Sequence, residues 1–354
     1  MRHGLTGQRL GDLAHGRDNN FNLIRFLAAS LVILSHAYSL ALGPGAEEPL
    51  HFLLKGDDLG RLCVFTFFAI SGFFIAASFE RKKSLGDFVK ARVLRIWPGL
   101  FVMLATMLPL TLALTDHSWR GVDLAWREAV DNLLMFTGFV AEAPAPAEFF
   151  SGNPVAGPFN GSLWTLRHEV LAYILVAVLG SLGLLQRPRL ALAGLFLAIC
   201  AYYVMPRLTG RIIPVTFSYV GLPFFFGATF YIWRDKVILH GGIVLALLAL
   251  AALLWPTPLF FPALIALLAY GVLWLGYAPS GRLREFNRLG DYSYGIYIYA
   301  FPIQQMLAWS GWRDPLPQAG MAFLLSLGCA VLSWHFVEEP AMRLRRRRAL
   351  ALSR

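Results

Sequence analysis

Phe21-Asn22-Leu23-Ile24-Arg25-Phe26-Leu27-Ala28-Ala29-Ser30-Leu31-Val32-Ile33-Leu34-Ser35-His36-Ala37-Tyr38 opens an apolar run that continues to Leu42. A helix needs roughly 20 such residues to cross a bilayer. The run has no period-2 alternation, so it reads as a helix and not as a barrel strand. Nine further runs follow, at about 60–79, 94–115, 162–184, 189–206, 212–233, 237–255, 259–277, 291–310 and 318–338. Pro and Gly clusters separate many of them, as at Gly43-Pro44-Gly45, Trp255-Pro256-Thr257-Pro258 and Pro315-Leu316-Pro317. The expected fold is an all-α integral membrane bundle of about ten transmembrane helices. No internal repeat at a fixed period is found.

Composition agrees. Of 354 residues, 57% are hydrophobic and 15% charged, against about 25% charged in soluble domains; the mean hydropathy is +0.58. That excludes an ordinary soluble enzyme, a disordered chain and a fibrous protein. Cys63, Cys200 and Cys329 all lie in apolar runs and read as small core residues, neither a disulfide frame nor a metal set. Residues 1–20 are polar and carry no cleavable signal pattern.

The formal net charge of +10 takes its meaning from position. With the N-terminus in the cytoplasm, 22 of the 31 Lys and Arg residues fall on the inner side and 7 on the outer, with Arg25 and Arg167 inside spans. This asymmetry predicts both termini in the cytoplasm and an even number of spans. The expected organisation is a cytoplasmic segment 1–20, a transmembrane domain 21–340 and a basic tail 341–354. Arg345-Arg346-Arg347-Arg348 then reads as a topology anchor near anionic headgroups, with no nucleic-acid partner. The longest outer loop, about 116–161, holds Ala141-Glu142-Ala143-Pro144-Ala145-Pro146 and Ser151-Gly152-Asn153-Pro154. It is long enough for a partial lid or acceptor platform and too short for a separate catalytic domain.

Ionisable groups inside spans are costly and therefore mark candidate sites. Arg25 and His36 are eleven positions apart, just over three turns, so they share one face about 16 Å apart along the axis. A snorkelling Arg and a hydrogen-bonded core His explain the same pair. Arg92 and Arg95 sit three apart at the inner entry to span three, where two guanidinium forks suit phosphate or act as inside anchors. Arg167-His168-Glu169 puts three consecutive ionisable residues in span four, which packing alone does not explain. Glu169 is expected at a depth similar to His36, where a carboxylate orients an imidazole. Ser71-Gly72 permits close helix approach. The Tyr-rich opening of span nine, with Tyr294, fits an interfacial aromatic belt.

Taken in order, these segments resemble the membrane acyltransferase-3 family, the polytopic O-acetyltransferases of bacterial surface polysaccharides and related acceptors. The similarity rests on Arg25 and His36, on Phe67 to Phe73, on Arg92, Arg95 and Pro98, on Ser162-Leu163-Trp164-Thr165-Leu166-Arg167-His168-Glu169, on Ser293 to Tyr297, and on Phe336, Val337, Glu338 and Pro340. Six segments in the right order, on the predicted sides, are specific where each alone is weak. Two positions depart: Phe65 stands where the family often has Asp, and Ala300 where it often has His.

The resemblance implies transfer of an acetyl or other short acyl group from cytoplasmic acetyl-CoA, a co-substrate, to a hydroxyl of a glycan or glycoside. No cofactor is expected to be bound permanently and no metal is expected. It places the protein in the bacterial inner (plasma) membrane, multi-pass, with glycan-assembly proteins as further partners. His36 is expected as general base, or as an acetyl-carrying nucleophile, with Glu169 tuning it. Arg25, Arg92 and Arg95 are expected to hold the donor phosphates. Ser71, Trp164, Arg167, His168, Tyr294 and Glu338 are the supporting candidates. A transporter of acyl groups or lipid-linked sugars is the second class; the lack of paired broken spans disfavours it. A purely structural partner of a glycan-assembly complex is the third, disfavoured by the in-span Arg, His and Glu.

Overall fold

The computed structural model describes residues 7–14, 16, 18–81, 84–115, 119–135, 149–156, 159–209 and 212–344. The basic tail from Arg345 and the stretch 141–146 of the outer loop lie outside the described residues. The helices run in the order α1 Leu10–Leu13, α2 Phe21–Leu42, α3 Leu59–Arg81, α4 Leu85–Thr115, α5 Trp119–Leu134, α6 Trp164–Ser181, α7 Pro188–Leu208, α8 Ile212–Ile232, α9 Gly241–Leu254, α10 Phe260–Tyr277, α11 Ser293–Trp309 and α12 Pro315–Ser333. A 3₁₀ segment, Gly281–Arg288, joins α10 to α11, and a π-turn, Trp334–Glu338, continues α12. Strand is confined to two-residue β1 Gln8–Arg9 and β2 Ile238–Leu239, paired antiparallel among the described residues.

Each of the ten expected runs lies on a helix. Among the described residues, seven helical stretches are long and apolar enough to cross a membrane: Phe21–Leu42, Leu59–Arg81, Leu85–Leu114, Pro188–Leu208, Pro214–Ile232, Phe260–Tyr277 and Pro315–Leu344. The other three fall short for visible reasons. In α6 the triplet Arg167-His168-Glu169 lowers the hydropathy, while α9 and α11 have only 14 and 17 residues. The protein is an all-α, multi-pass membrane protein.

Local chemistry sets the helix ends. Asn19 Oδ1 accepts the N–H of Phe21 at 3.2 Å and opens α2. α4 starts nine residues before the expected span, because Ser84 and Asp87 form a reciprocal cap: Asp87 N–H donates to Ser84 Oγ at 3.1 Å and Ser84 Oγ donates to Asp87 Oδ2 at 3.0 Å. The 31-residue helix then carries Asp87, Lys90 and Arg92 ahead of its apolar part. Asp314 caps α12 through Leu316 N–H, with Pro315 in the first turn.

The chain folds as two compact units. One comprises the residues up to Arg25, Val64–Phe88 and His168–Gly290; the other comprises Phe26–Cys63, Val89–Arg167 and the chain from Asp291 onward. Within the first, α8 packs on α7, and α10 on α8 and α9. Its core is aromatic, with Phe21 edge-on to Phe74 and Tyr277 at 4.8 and 5.0 Å and Phe73 edge-on to Tyr231 at 5.4 Å. Here α3 and α8 meet at backbone range. A Cβ on Gly72 would stand 2.0 Å from the carbonyl oxygen of Phe224, and one on Gly227 2.0 Å from that of Ala69. That confirms the close-approach role expected of Gly72. Within the second unit, α11 packs on α12, and a Cβ on Gly295 would come 2.7 Å from Ala330 Cα.

Gly72→Ala should therefore force α3 from α8 at a cost of about 1–3 kcal/mol. Thermal unfolding of the detergent-purified protein is expected at lower temperature in this variant, whereas Gly271→Ala, where a Cβ meets nothing within 4 Å, leaves it unchanged.

Candidate active site

His36 lies on α2, half-buried in the second unit. Its ring stands edge-on to Phe301 of α11 at 5.7 Å. Its Nδ1 is buried and has no hydrogen-bond partner among the described residues. One turn earlier on α2, the carbonyl of Ile33 accepts a hydrogen bond from Gln304 Nε2 at 2.9 Å. The α2–α11 seam is thus apolar at Phe301 and polar at Gln304. Arg25, three turns back on α2, is half-buried, with its guanidinium 5.6 Å from the Phe74 ring centre in the first unit.

Arg92 and Arg95 take different roles. Arg92 is half-buried near the start of α4. Arg95 is engaged by two carboxylates, with Nη2 2.6 Å from Asp291 Oδ2 and Nη1 3.2 Å from Glu338 Oε2. The rings of Tyr294 and Trp334 flank it at 5.5 and 5.9 Å. Glu338 is 1% exposed, and its other oxygen accepts Ser333 Oγ–H at 2.9 Å. Ser333 Oγ sits five residues back, across the π-turn; a π-turn holds one extra residue, which swings Glu338 onto the α4 side. Asp291 also accepts Ser293 Oγ–H at 2.6 Å at the start of α11. Tyr294 O–H donates to the Ile96 carbonyl at 2.8 Å. Arg95, Tyr294 and Glu338 are therefore brought together as one part-buried knot joining α4, α11 and the end of α12. Asp291, which sequence reading passed over, is its fourth member; its signal was a lone carboxylate just before the Tyr-rich segment.

The triplet on α6 is divided, because consecutive helical residues point about 100° apart. Arg167 pairs with Asp131 of α5. His168 is 2% exposed; its Nε2 is 2.8 Å from Thr216 Oγ1 and its ring stacks on Phe217. Glu169 accepts the hydrogen bond of Tyr173 O–H, one turn on. Glu169 falls in the first unit and His36 in the second. Trp164 is 39% exposed at the start of α6, and Ser71 is half-buried on α3 beside Gly72.

The outer loop holds a helix that the Pro- and Gly-based reading did not expect. α5 is amphipathic, tied to α4 by Trp97 Nε1–H, which donates to the Leu133 carbonyl at 2.9 Å. Glu128 and Asp131, three apart, share a face. Glu128 Oε1 accepts the Phe159 N–H at 3.0 Å. Burial pushes the Glu128 carboxyl up to about 7; the backbone N–H groups of Phe159 and Asn160 oppose that only in part. Asn153, Asn160 and Ser162 are each tied to α11. Asn153 Nδ2 donates to Gln305 Oε1 at 2.8 Å, Asn160 Nδ2 to the Ile298 carbonyl at 2.7 Å, and Tyr297 O–H to the Ser162 carbonyl at 3.0 Å. Tyr297 and Tyr299 are buried, so these two tyrosines of α11 act inside the protein and not as an interfacial belt.

A histidine and an arginine thus share one spanning helix of a helical membrane bundle, with the ordered motifs on the helices around them. Residues 18–335 match the Acyltransferase domain family, and the chain belongs to this acyltransferase-3 family. It is 29% identical to a Shigella phage Sf6 protein named O-acetyl transferase, over 91% of this chain and 96% of that one. It is also 29% identical to Nodulation protein 10 of Rhizobium leguminosarum bv. viciae, over 93% and 95%. No solved structure matches the chain significantly.

Two outcomes are expected. Arg95→Ala strands the buried Glu338 carboxylate, at a cost of about 3–5 kcal/mol, and should abolish monodisperse protein on size-exclusion chromatography; adding Glu338→Gln should restore much of it. For Glu128, the folded state keeps its proton up to about pH 7, while the unfolded chain releases it in the ordinary glutamate range. Its contribution to stability is complete below that range and is lost as pH rises through about 7. Unfolding temperatures from pH 5 to 8 should show a smaller decline in Glu128→Gln than in the wild type.

Proposed function

We propose that this acyltransferase moves an acetyl or other short acyl group from acyl-CoA, reached from the cytoplasm, onto a hydroxyl of a surface glycan or glycoside. It works in the bacterial inner membrane, with ten spans and both termini in the cytoplasm. The observation that carries this reading is His36, with its buried and unengaged Nδ1, on the same helix as Arg25. Support comes from family membership and from the name of the phage relative, O-acetyl transferase.

Arg25 and Arg92 supply cations for the donor phosphates. Arg95 serves the same end by holding α4 against α11 through Asp291 and Glu338. The rise of about 16 Å from Arg25 to His36 is of the order of the phosphate-to-thioester reach of CoA. His36, neutral near pH 7, takes the proton of the acceptor hydroxyl as its oxygen attacks the thioester carbonyl. The carbon–sulfur bond breaks, and the departing thiolate takes the proton from His36, leaving an ester and CoA. The surrounding helices keep water from the thioester. Proteins of glycan assembly are the partners that present the acceptor.

The test uses inverted membrane vesicles and acetyl-CoA labelled in the acetyl group. Wild-type vesicles should pass label to glycan, and His36→Ala should lower the rate at least about 100-fold with unchanged protein in the membrane. Wild-type rates in that variant remove His36 from the reaction. Uptake of label without CoA release makes the protein a transporter.

A further inference from the structure

We infer that Gln304 receives the pantetheine arm of the donor, its side-chain carbonyl accepting the N–H of the amide nearest the thioester; this rests on the acyl-CoA reading above. Gln304 lies on α11 in a membrane-spanning bundle and is 0% exposed. Its Nε2 donates to the Ile33 carbonyl. A carbonyl only accepts, so Ile33 fixes the amide nitrogen on its own side and leaves Oε1 on the other. That Oε1 is buried and has no hydrogen-bond partner among the described residues. A buried carbonyl without a donor costs on the order of 1–3 kcal/mol. Leu or Met would fill this place on the helix without that cost. The amide oxygen at this position therefore calls for a donor that the described residues do not provide.

The position of Gln304 identifies the donor chemistry. Gln304 meets α2 at Ile33, and Phe301, one turn earlier on α11, meets α2 at His36. Along α2 the order is Arg25, Ile33 with Gln304, then His36. Along acyl-CoA the order is phosphates, pantetheine amides, thioester. The last amide nitrogen and the thioester sulfur are two methylenes apart, a reach of about 4 Å, against a rise of about 4.5 Å from Ile33 to His36. An N–H donor at Gln304 with the acyl carbon at His36 thus keeps the register of the donor along the helix. Gln305, next in the chain, is already engaged: its Oε1 accepts from Asn153 and its Nε2 donates to the Val155 carbonyl at 2.9 Å.

The protein in lipid nanodiscs is titrated with two probes, CoA and adenosine 3′,5′-bisphosphate, which carries the nucleotide and phosphates without the pantetheine arm. Gln304→Met should weaken CoA about tenfold, the order of one neutral hydrogen bond, and leave the bisphosphate unchanged. Gln304→Asn, one methylene short, should weaken CoA alone as well and covers the case in which the Met variant does not fold. No loss of CoA affinity, or equal loss of both probes, overturns the assignment of Gln304 alone. Wild-type protein that binds neither probe overturns the donor reading itself.

Discussion

Hydrocarbon leaves no charge or hydrogen-bonding group unanswered without a cost of several kcal/mol, and the arrangement of this protein follows from that rule. Arg95 is the clearest case. It sits on a helix otherwise apolar toward its C-terminus, and two carboxylates 47 residues apart in the chain converge on it. To bring them there, α11 must begin beside α4 and α12 must widen by one residue in a π-turn. Asp291 does double duty by accepting the Ser293 hydroxyl. One guanidinium thus fixes the start of one helix and the end of another.

Where charge is absent, small residues do the corresponding work. Two spans cannot be drawn together by hydrophobicity inside lipid, because lipid tails are as apolar as the side chains. Gly72 and Gly227 let α3 and α8 approach until backbone meets backbone. Against this closely packed background, His36 Nδ1 and Gln304 Oε1 stand out. Both are buried polar atoms on the α2–α11 seam, within about one helical turn, and neither has a hydrogen-bond partner among the described residues. A seam that satisfies Ile33 and packs Phe301 yet leaves these two atoms unmet is suited to a ligand offering both a donor and an electrophile.

Hydropathy made the apolar helices legible because each needs only its own residues to declare itself. α5 was hidden by its setting: it lies in a loop punctuated by Pro and Gly, and its apolar positions are spaced for one helical face and do not run continuously. The early start of α4 was equally local, since Ser84 and Asp87 spell a cap, but hydropathy outweighed it. The site was less legible for a different reason. Sequence places Arg25, His36 and Arg95 on helices, yet the groups they meet, Phe74, Phe301, Asp291 and Glu338, come from distant segments. The 196-residue separation of Arg95 and Asp291 is invisible to spacing arguments. The Arg167-His168-Glu169 triplet looked like one cluster, and helical geometry sent its members to three separate partners.

The two departures from the family pattern narrow the chemistry further. Phe65 is 1% exposed and Ala300 is 3% exposed. Each fills a packed, apolar position, and neither side chain can carry a proton. Ala300 adjoins Phe301, whose ring edges His36, and neither side chain offers the imidazole a second base. Under the proposed reaction, proton removal from the acceptor then falls to His36 alone on this seam. Its basicity must come from residues that hold or tune it and not from a histidine partner on α11. That places the burden on the residues that hold the ring. It also gives the donor's alignment by Gln304 a larger share of the rate, since a single base works only when the acyl carbon is held in register with it.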